Sequence, residues 1–433
     1  MVLLCVGLGV FVYMNVRANR DQAAEIANQE AQLAQEHAVA AATSTPSPTP
    51  TPVRNTDTTT LAFCGDYVGQ QGLASDAQSD DGTYDFTSLF SHVKSALTGV
   101  NFASCTLDGV LTDSTEAKAY YCPVALASAL KDTGFSLVNT ATDNSMISGL
   151  DGVTQTLSAL DGAGVAHTGT YASQENRDAG SGVQFVTING LNVAFLSYTY
   201  GTNGVSVADN SWCVNILTTD YMTGQATVDY DRISADLAAA KNGGADLIVC
   251  YVYWWDNAQY YTSPRSEQED VADYLCKNGV DIVVGSGVKT PQSIEVRQVD
   301  RGDGKTVNCV VCYSLGNLAS CLSDIYTNLS AIVYVDVERD VDSGDVWISN
   351  VRYKPLFMLS TDDYSDISGA TFRYRILTLQ DALTDYTNGN TETDCLSASV
   401  DSALTEGLYQ LHTILGADYD ESTGGVDLDP PAL

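Results

Sequence analysis

Residues Gly279 to Glu295 read GVDIVVGSGVKTPQSIE. The run Ile282-Val283-Val284 has the β-branched content of a buried strand, and it stops at Gly285-Ser286-Gly287. A buried strand that opens into a glycine loop is how α/β proteins place chemistry at strand ends. Yet this loop offers no histidine, cysteine or carboxylate before Glu295. Fold and function therefore turn on the same few residues.

Outward from this stretch, strand and helix patterns alternate. TTLAFCGD (59–66, strand) precedes DFTSLFSHVKSALTG (85–99, helix), and NFASCTLDG (101–109) is a strand running into a loop. CPVALASALKDTG is a helix, FSLVNTATDN a strand into a loop, and GLDGVTQTLSALDGAG a helix. VQFVTINGLNVAFLSYTY predicts two strands around an Asn189-Gly190 turn. YDRISADLAAAKNGG and SEQEDVADYLCKNG are helices flanking the strand ADLIVCYVYWW; NCVVCYSLGN and SAIVYVDVERD are later strands. Helices between apolar strands predict an α/β fold of layered mixed sheets, with the strand-end loops converging on one site.

The ends differ from this middle. MVLLCVGLGVFVYMNV (1–16) is apolar except for Asn15 and is followed by Arg17 and Arg20. As a helix it reaches about 24 Å against a hydrocarbon core of about 30 Å, short for a span but consistent with a signal-anchor. Residues 17–42 read as a helical stalk, and 43–58, with TSTPSPTPTPV, as an extended Pro/Thr/Ser linker. The main domain is placed at 59–379. Residues 380–433 are expected to hold an amphipathic helix, CLSASVDSALTEGLYQLHTIL, and a disordered acidic tail.

Composition excludes some partners. Twenty Lys+Arg against 54 Asp+Glu give a formal charge of -34. Nucleic acid and anionic lipid both need a basic patch, so neither suits this surface. The chain has only four histidines, His37, His92, His167 and His412, too scattered for a local zinc pair. Cys309 and Cys312 form a C-x-x-C inside a strand, where their side chains face opposite ways. The cysteines are therefore read as core packing and not as a redox pair.

The order CGD (64–66), GVDIVVGS (279–286), PQSIE (291–295) and YSLGN (313–317) resembles the CapA family of capsule and poly-γ-glutamate synthesis proteins. The resemblance covers about residues 59–379. It implies a calcineurin-like metallophosphatase fold, a four-layer αββα sandwich with a dinuclear metal site. The family's strand-end Gly-Asp aspartate corresponds to Asp66. Its Asn-x-Glu corresponds to Thr106 and Asp108, and its Asn-Asn-His to Thr142, Asp143 and Asn144. Its His-Trp-Gly corresponds to Tyr253, Trp254 and Trp255. Its Gly-x-His-Pro-His loop corresponds to GSGVK, with Gly287 and Lys289 at the histidine positions. No histidine occurs between His167 and His412, so no shift of alignment restores one.

A dinuclear hydrolase needs imidazole and carboxylate ligands that acidify a bound water. A phenol, a glycine and a cation are poor replacements, so no transition-metal centre is expected. Two uses remain for Asp66, Asp108, Asp143 and Asn144. They form an oxygen site for a single Mg²⁺ or Ca²⁺, or Lys289 replaces the metal through a salt bridge to Asp66 or Asp143. The first use leaves a hydrolase or transferase, with Asp66, Asp108 and Asp143 as candidate catalytic carboxyls. The second leaves a non-catalytic protein, and it is the preferred expectation. A third alternative is an aromatic cleft for glycan or peptide, lined by Tyr253, Trp254 and Trp255. Asn317 completes the candidate pocket, with a backbone-bonding role as its simplest reading. The resemblance implies a membrane-anchored extracellular protein of surface-polymer synthesis or export. Its partners would be the polymer or other synthesis proteins. The charge of -34 works against direct binding of polyglutamate unless cations bridge the two.

Overall fold

A computed structural model describes residues 54–114, 118–222, 226–254, 260–302 and 306–430. The anchor, the stalk and residues 43–53 of the linker lie outside the described residues, as does Trp255. Among the described residues no helix is long and apolar enough to cross a membrane.

The first sheet is built on four parallel strands: β1 (Thr56–Val68), β2 (Phe102–Asp108), β5 (Leu137–Asn139) and β6 (Ala166–Thr168). On the far side of β1 it continues antiparallel through β16 (Leu329–Asp340), β17 (Val346–Ser360) and β18 (Tyr374–Thr378). Short β15 (Asn317–Ala319) pairs with the end of β1, and β19 (Val426–Asp427) with β17. The second sheet runs β13 (Pro291–Asp300), β14 (Thr306–Leu315), β12 (Ile282–Ser286), β11 (Leu247–Tyr253), β8 (Leu191–Thr199), β7 (Gln184–Ile188). Two small pairs, β3 (Val110–Thr112) with β4 (Tyr121–Pro123) and β9 (Thr218–Thr219) with β10 (Thr227–Val228), lie beside them.

The alternation of side chains on β1 builds the layers. Leu61 and Phe63 face the second sheet, where they share a core with Phe195, Val249 and Val310. Ala62 and Cys64 face the other way, into a core with α2 (Thr87–Ala96), α3 (Ala125–Thr133) and α4 (Gly149–Ala163). The outer face of the second sheet packs on α6 (Tyr230–Asn242) and α7 (Ser266–Lys277). Strands covered on both faces explain the unbroken apolar runs in the sequence. The predicted hairpin forms between β7 and β8, with Asn189 at φ 48° and Gly190 at φ 85°, the left-handed pair of a type I′ turn. The remaining helices are α1 (Gln71–Ala77), α5 (Gln174–Ala179), α8 (Leu379–Asn388) and α9 (Ala398–Leu411).

Three expectations need correction. The linker ends earlier than residue 58, because β1 already pairs with β16 from Thr56. Residues 380–430 are neither a separate segment nor a disordered tail. Leu396, Val400, Leu404 and Leu411 enter the inter-sheet core. Asp420 is fully buried and accepts hydrogen bonds from His412 at 2.8 Å and from Gln380 at 2.7 and 2.9 Å. Cys309 is not a free core thiol: it is disulfide-bonded to Cys276, with Cα atoms 6.0 Å apart. The bond ties the last turn of α7 to β14 and closes a loop that contains β12 and Lys289.

Peptide mapping without reduction is expected to recover the Cys276–Cys309 link. With a sequence separation of 33, Cys276→Ser should lower unfolding free energy by about 3–4 kcal/mol in denaturant. Two free thiols at these positions would contradict the assignment.

Candidate functional site: a lysine among three aspartates

The carboxyl ends of β1, β2 and β5 meet those of β11 and β12 across the inter-sheet core. Asp66 lies near the end of β1 and Asp108 ends β2; Asp143 and Asn144 follow β5. Tyr253 ends β11, and Lys289 sits in the loop after β12. Asp108 is the centre. Its Oδ2 accepts from Lys289 Nζ at 3.1 Å and from the Tyr253 hydroxyl at 3.1 Å. Its Oδ1 accepts from Asn144 Nδ2 at 2.9 Å. Asn144 Nδ2 also donates to Asp143 Oδ1 at 2.7 Å, and Asn203 Nδ2 donates to Asn144 Oδ1 at 3.0 Å. The ion pair is buried, with 7% exposure for the Lys289 side chain and none for Asp108.

The expected salt bridge therefore exists with a different partner, Asp108 in place of Asp66 or Asp143. Asp66 is turned toward the glycine loop, where Gly287 N–H donates to its Oδ2 at 3.0 Å. Neither Asp66 Oδ1 nor Ser286 Oγ has a partner in full hydrogen-bond geometry. The Ser286 hydroxyl is still near enough to lower the Asp66 pKa.

The glycines of the loop answer to space. Gly287 has φ +89°, and a Cβ there would stand 2.7 Å from Trp254 O. A Cβ on Gly285 would stand 2.0 Å from Tyr313 O. The loop thus passes close to its neighbours and aims one backbone N–H at Asp66.

Burial raises the Asp66 pKa to about 7, with Lys289 pulling it down and Asp108 pushing it up. Burial likewise raises Asp143 to about 7, helped by Asp108 and opposed by Lys289. Burial pulls the Lys289 ammonium down, but Asp108, Asp66 and Asp143 more than offset it, so its pKa is raised and it stays charged. Burial pushes the Tyr253 phenol well up, so it donates as a neutral group.

Other expected residues have supporting or unrelated places. Thr106 accepts from Asn139 Nδ2 at 3.1 Å beneath the cluster. Asn317 Nδ2 donates at 3.1 Å to Lys289 O and at 3.1 Å to Thr327 O, fixing the lysine loop through its backbone. Trp254 is a correction. It points to the opposite face from Tyr253, is 4% exposed among α6 and α7 residues, and donates Nε1–H to Tyr313 O at 2.9 Å. Both faces of the strand are covered, so adjacent aromatics need no cleft. Tyr120 was not foreseen. Its phenol is close enough to hydrogen-bond Asn144, and its pKa is raised by burial and by Asp108. Asn203 was missed as well, since nothing in its local sequence marks it.

The residues present do not fit the metal centre that the resemblance implies. Lys289 Nζ already takes the Asp108 oxygen a metal would need, and Asn144 turns its donor side to both aspartates. Among the described residues, no group of three or more His, Cys, Asp or Glu is arranged to hold a metal ion. The described histidines pair elsewhere: His92 with Asp394, His167 with Asp161 and His412 with Asp420.

Fold and site define a layered α/β protein with a buried charge cluster where its two sheets meet. The chain belongs to the bacterial capsule synthesis protein PGA_cap family, whose pattern matches residues 60–321. It is 26% identical over 208 residues to the capsule biosynthesis protein CapA of Bacillus anthracis, covering 47% of this chain and 45% of that protein. It is 24% identical over 211 residues to the PGA biosynthesis protein CapA of Bacillus subtilis, covering 49% of each. The matches thus span about half the length of these curated relatives. A solved novel phosphatase from Mycoplasma pneumoniae aligns at TM-score 0.39 and 12% identity, over 70% of this chain and 94% of that one. At that level the likeness carries no argument.

Lys289→Ala leaves Asp108 buried without its cation and is expected to cost about 3–5 kcal/mol, read by denaturant unfolding near neutral pH. A loss under about 1 kcal/mol would mean that the pair is solvated. Asp66 holds its proton to about pH 7 when folded, against 3.8 for the ordinary group. The folded state then binds more protons than the unfolded one between these values, so Asp66 lowers stability as pH rises through that window. Asp66→Asn should therefore gain stability relative to the parent on going from pH 4 to 7. A constant difference in melting temperature across that window would contradict this.

Proposed function

We propose that this chain is a CapA-like component of surface-polymer synthesis or export, of the capsule or poly-γ-glutamate kind, that lacks the family's metal chemistry. Lys289 stands in for the metal. The observation that carries this is the buried ammonium 3.1 Å from Asp108, with the carboxyls of Asp66 and Asp143 as its further electrostatic partners. A fixed ammonium neutralises one carboxylate and supplies no bound water to activate, whereas a metal would do both. The sequence between His167 and His412 contains no histidine, which agrees with loss of the nitrogen ligands.

The setting is proposed to be the outer face of a membrane, held there by the apolar N-terminal segment. Family membership supports the polymer connection, and the Cys276–Cys309 disulfide suits an oxidising compartment. With a net charge of -34 the protein would meet an anionic polymer through bridging cations or through another synthesis protein.

Metal analysis of the purified chain, after exposure to Mn²⁺, Zn²⁺, Mg²⁺ and Ca²⁺ and desalting, is expected to find no stoichiometric transition metal. The same preparation should show no metal-dependent phosphatase activity. Two tightly held transition-metal ions per chain would overturn the proposal.

A further inference from the structure

Beside the lysine cluster, at the same strand ends, lies a cleft of about 580 Å³. It opens where the chain leaves β1 and β2. Gln71, Ser75 and Gln78 line it together with Thr112, Tyr84 and Tyr121. The volume is that of a small-ligand site.

The lining limits the ligand. Among the described lining residues charge is balanced, with one cation, Lys118, and one anion, Asp113. The Lys118 ammonium lies 5.5 Å over the Tyr121 ring. A multiply charged anion would want several converging cations, and a lipid would want a continuous apolar wall. What the cleft offers instead is two tyrosines, Tyr84 and Tyr121, among amides and hydroxyls. A sugar presents the matching chemistry, an apolar ring face for stacking and hydroxyls that both donate and accept.

The chain that carries Tyr121 is held in an uncommon conformation. Tyr120 has φ 64°, in the left-handed region that an aromatic residue rarely enters. Its N–H donates to Gly69 O at 2.6 Å and its carbonyl accepts from Val110 N at 2.8 Å. The segment crosses so close to β1 and β2 that a Cβ on Gly69 would stand 2.8 Å from Tyr120 C, and one on Gly109 2.4 Å from Tyr120 O. Two glycines and two backbone hydrogen bonds thus fix Tyr120 over the lysine cluster and Tyr121 in the cleft. Strain of this kind persists where the surroundings over-determine it, and it gathers at functional sites.

We propose that this cleft is a carbohydrate subsite that takes a neutral sugar unit of a surface glycan. The proposal does not use the lysine cluster, so its failure would leave the metal-free reading standing. It differs from an aromatic cleft at Trp254, whose ring is buried.

The test is saturation-transfer NMR followed by titration calorimetry on the intact chain, with cellotetraose and chitotetraose as probes. At least one is expected to bind. Tyr121→Ala and Gln71→Ala should each weaken that binding by about tenfold. Gln71 is exposed, so its variant should keep the parent's melting temperature and separates loss of binding from loss of fold. Absence of binding by both probes at millimolar concentration would overturn the proposal, as would parental affinity in both variants.

Discussion

One buried ammonium sets the terms for the site. Three aspartates reach the same region from β1, β2 and the loop after β5, and their mutual repulsion in a low-dielectric interior would oppose bringing the two sheets together there. Lys289 crosses from the second sheet and pairs with the central one, Asp108. The other two are accommodated differently. Asp66 takes a backbone N–H from Gly287, and Asp143 takes the Asn144 amide. Both hold protons up to about pH 7. The cluster is a charge-balanced joint between two sheets. It occupies the position where the family resemblance places a metal centre.

The loop that opened the question is explained by the same joint. Gly285 and Gly287 let the chain pass between Tyr313, Trp254 and Asp66. Asn317, at the end of the motif YSLGN, holds the lysine carbonyl and so fixes the loop from the first sheet's side. The Cys276–Cys309 disulfide ties α7 to β14 at the other end of β12. Residues with the look of a catalytic motif thus converge on the placement of one side chain.

Most of this was legible in the sequence where local pattern decides the outcome. The apolar runs of β1, β8, β11 and β12 and the Asn189-Gly190 turn declare themselves, because strands covered on both faces leave little ambiguity. β13 and β17 do not, since PQSIEVRQVD and VWISNVRYKPLFMLS mix polar residues and proline into their strands. The aspartates and Lys289 were found from the family resemblance, as the residues at its motif positions. The choice of Asp108 as partner depends on how the two sheets meet, which no local pattern encodes. The same holds for Trp254: alternation shows that it opposes Tyr253 but cannot say that helices cover its face and the first sheet the other. Tyr120 and Asn203 lie on connections without periodic signal, and a disulfide between Cys276 and Cys309 requires knowing that α7 lies against β14.

The most direct measurement is anomalous diffraction at the manganese edge from crystals of this protein grown with Mn²⁺. The account expects no anomalous peak among Asp66, Asp108 and Asp143, and density for Lys289 Nζ beside Asp108. A peak bridging those carboxylates, with Lys289 displaced toward solvent, would contradict it.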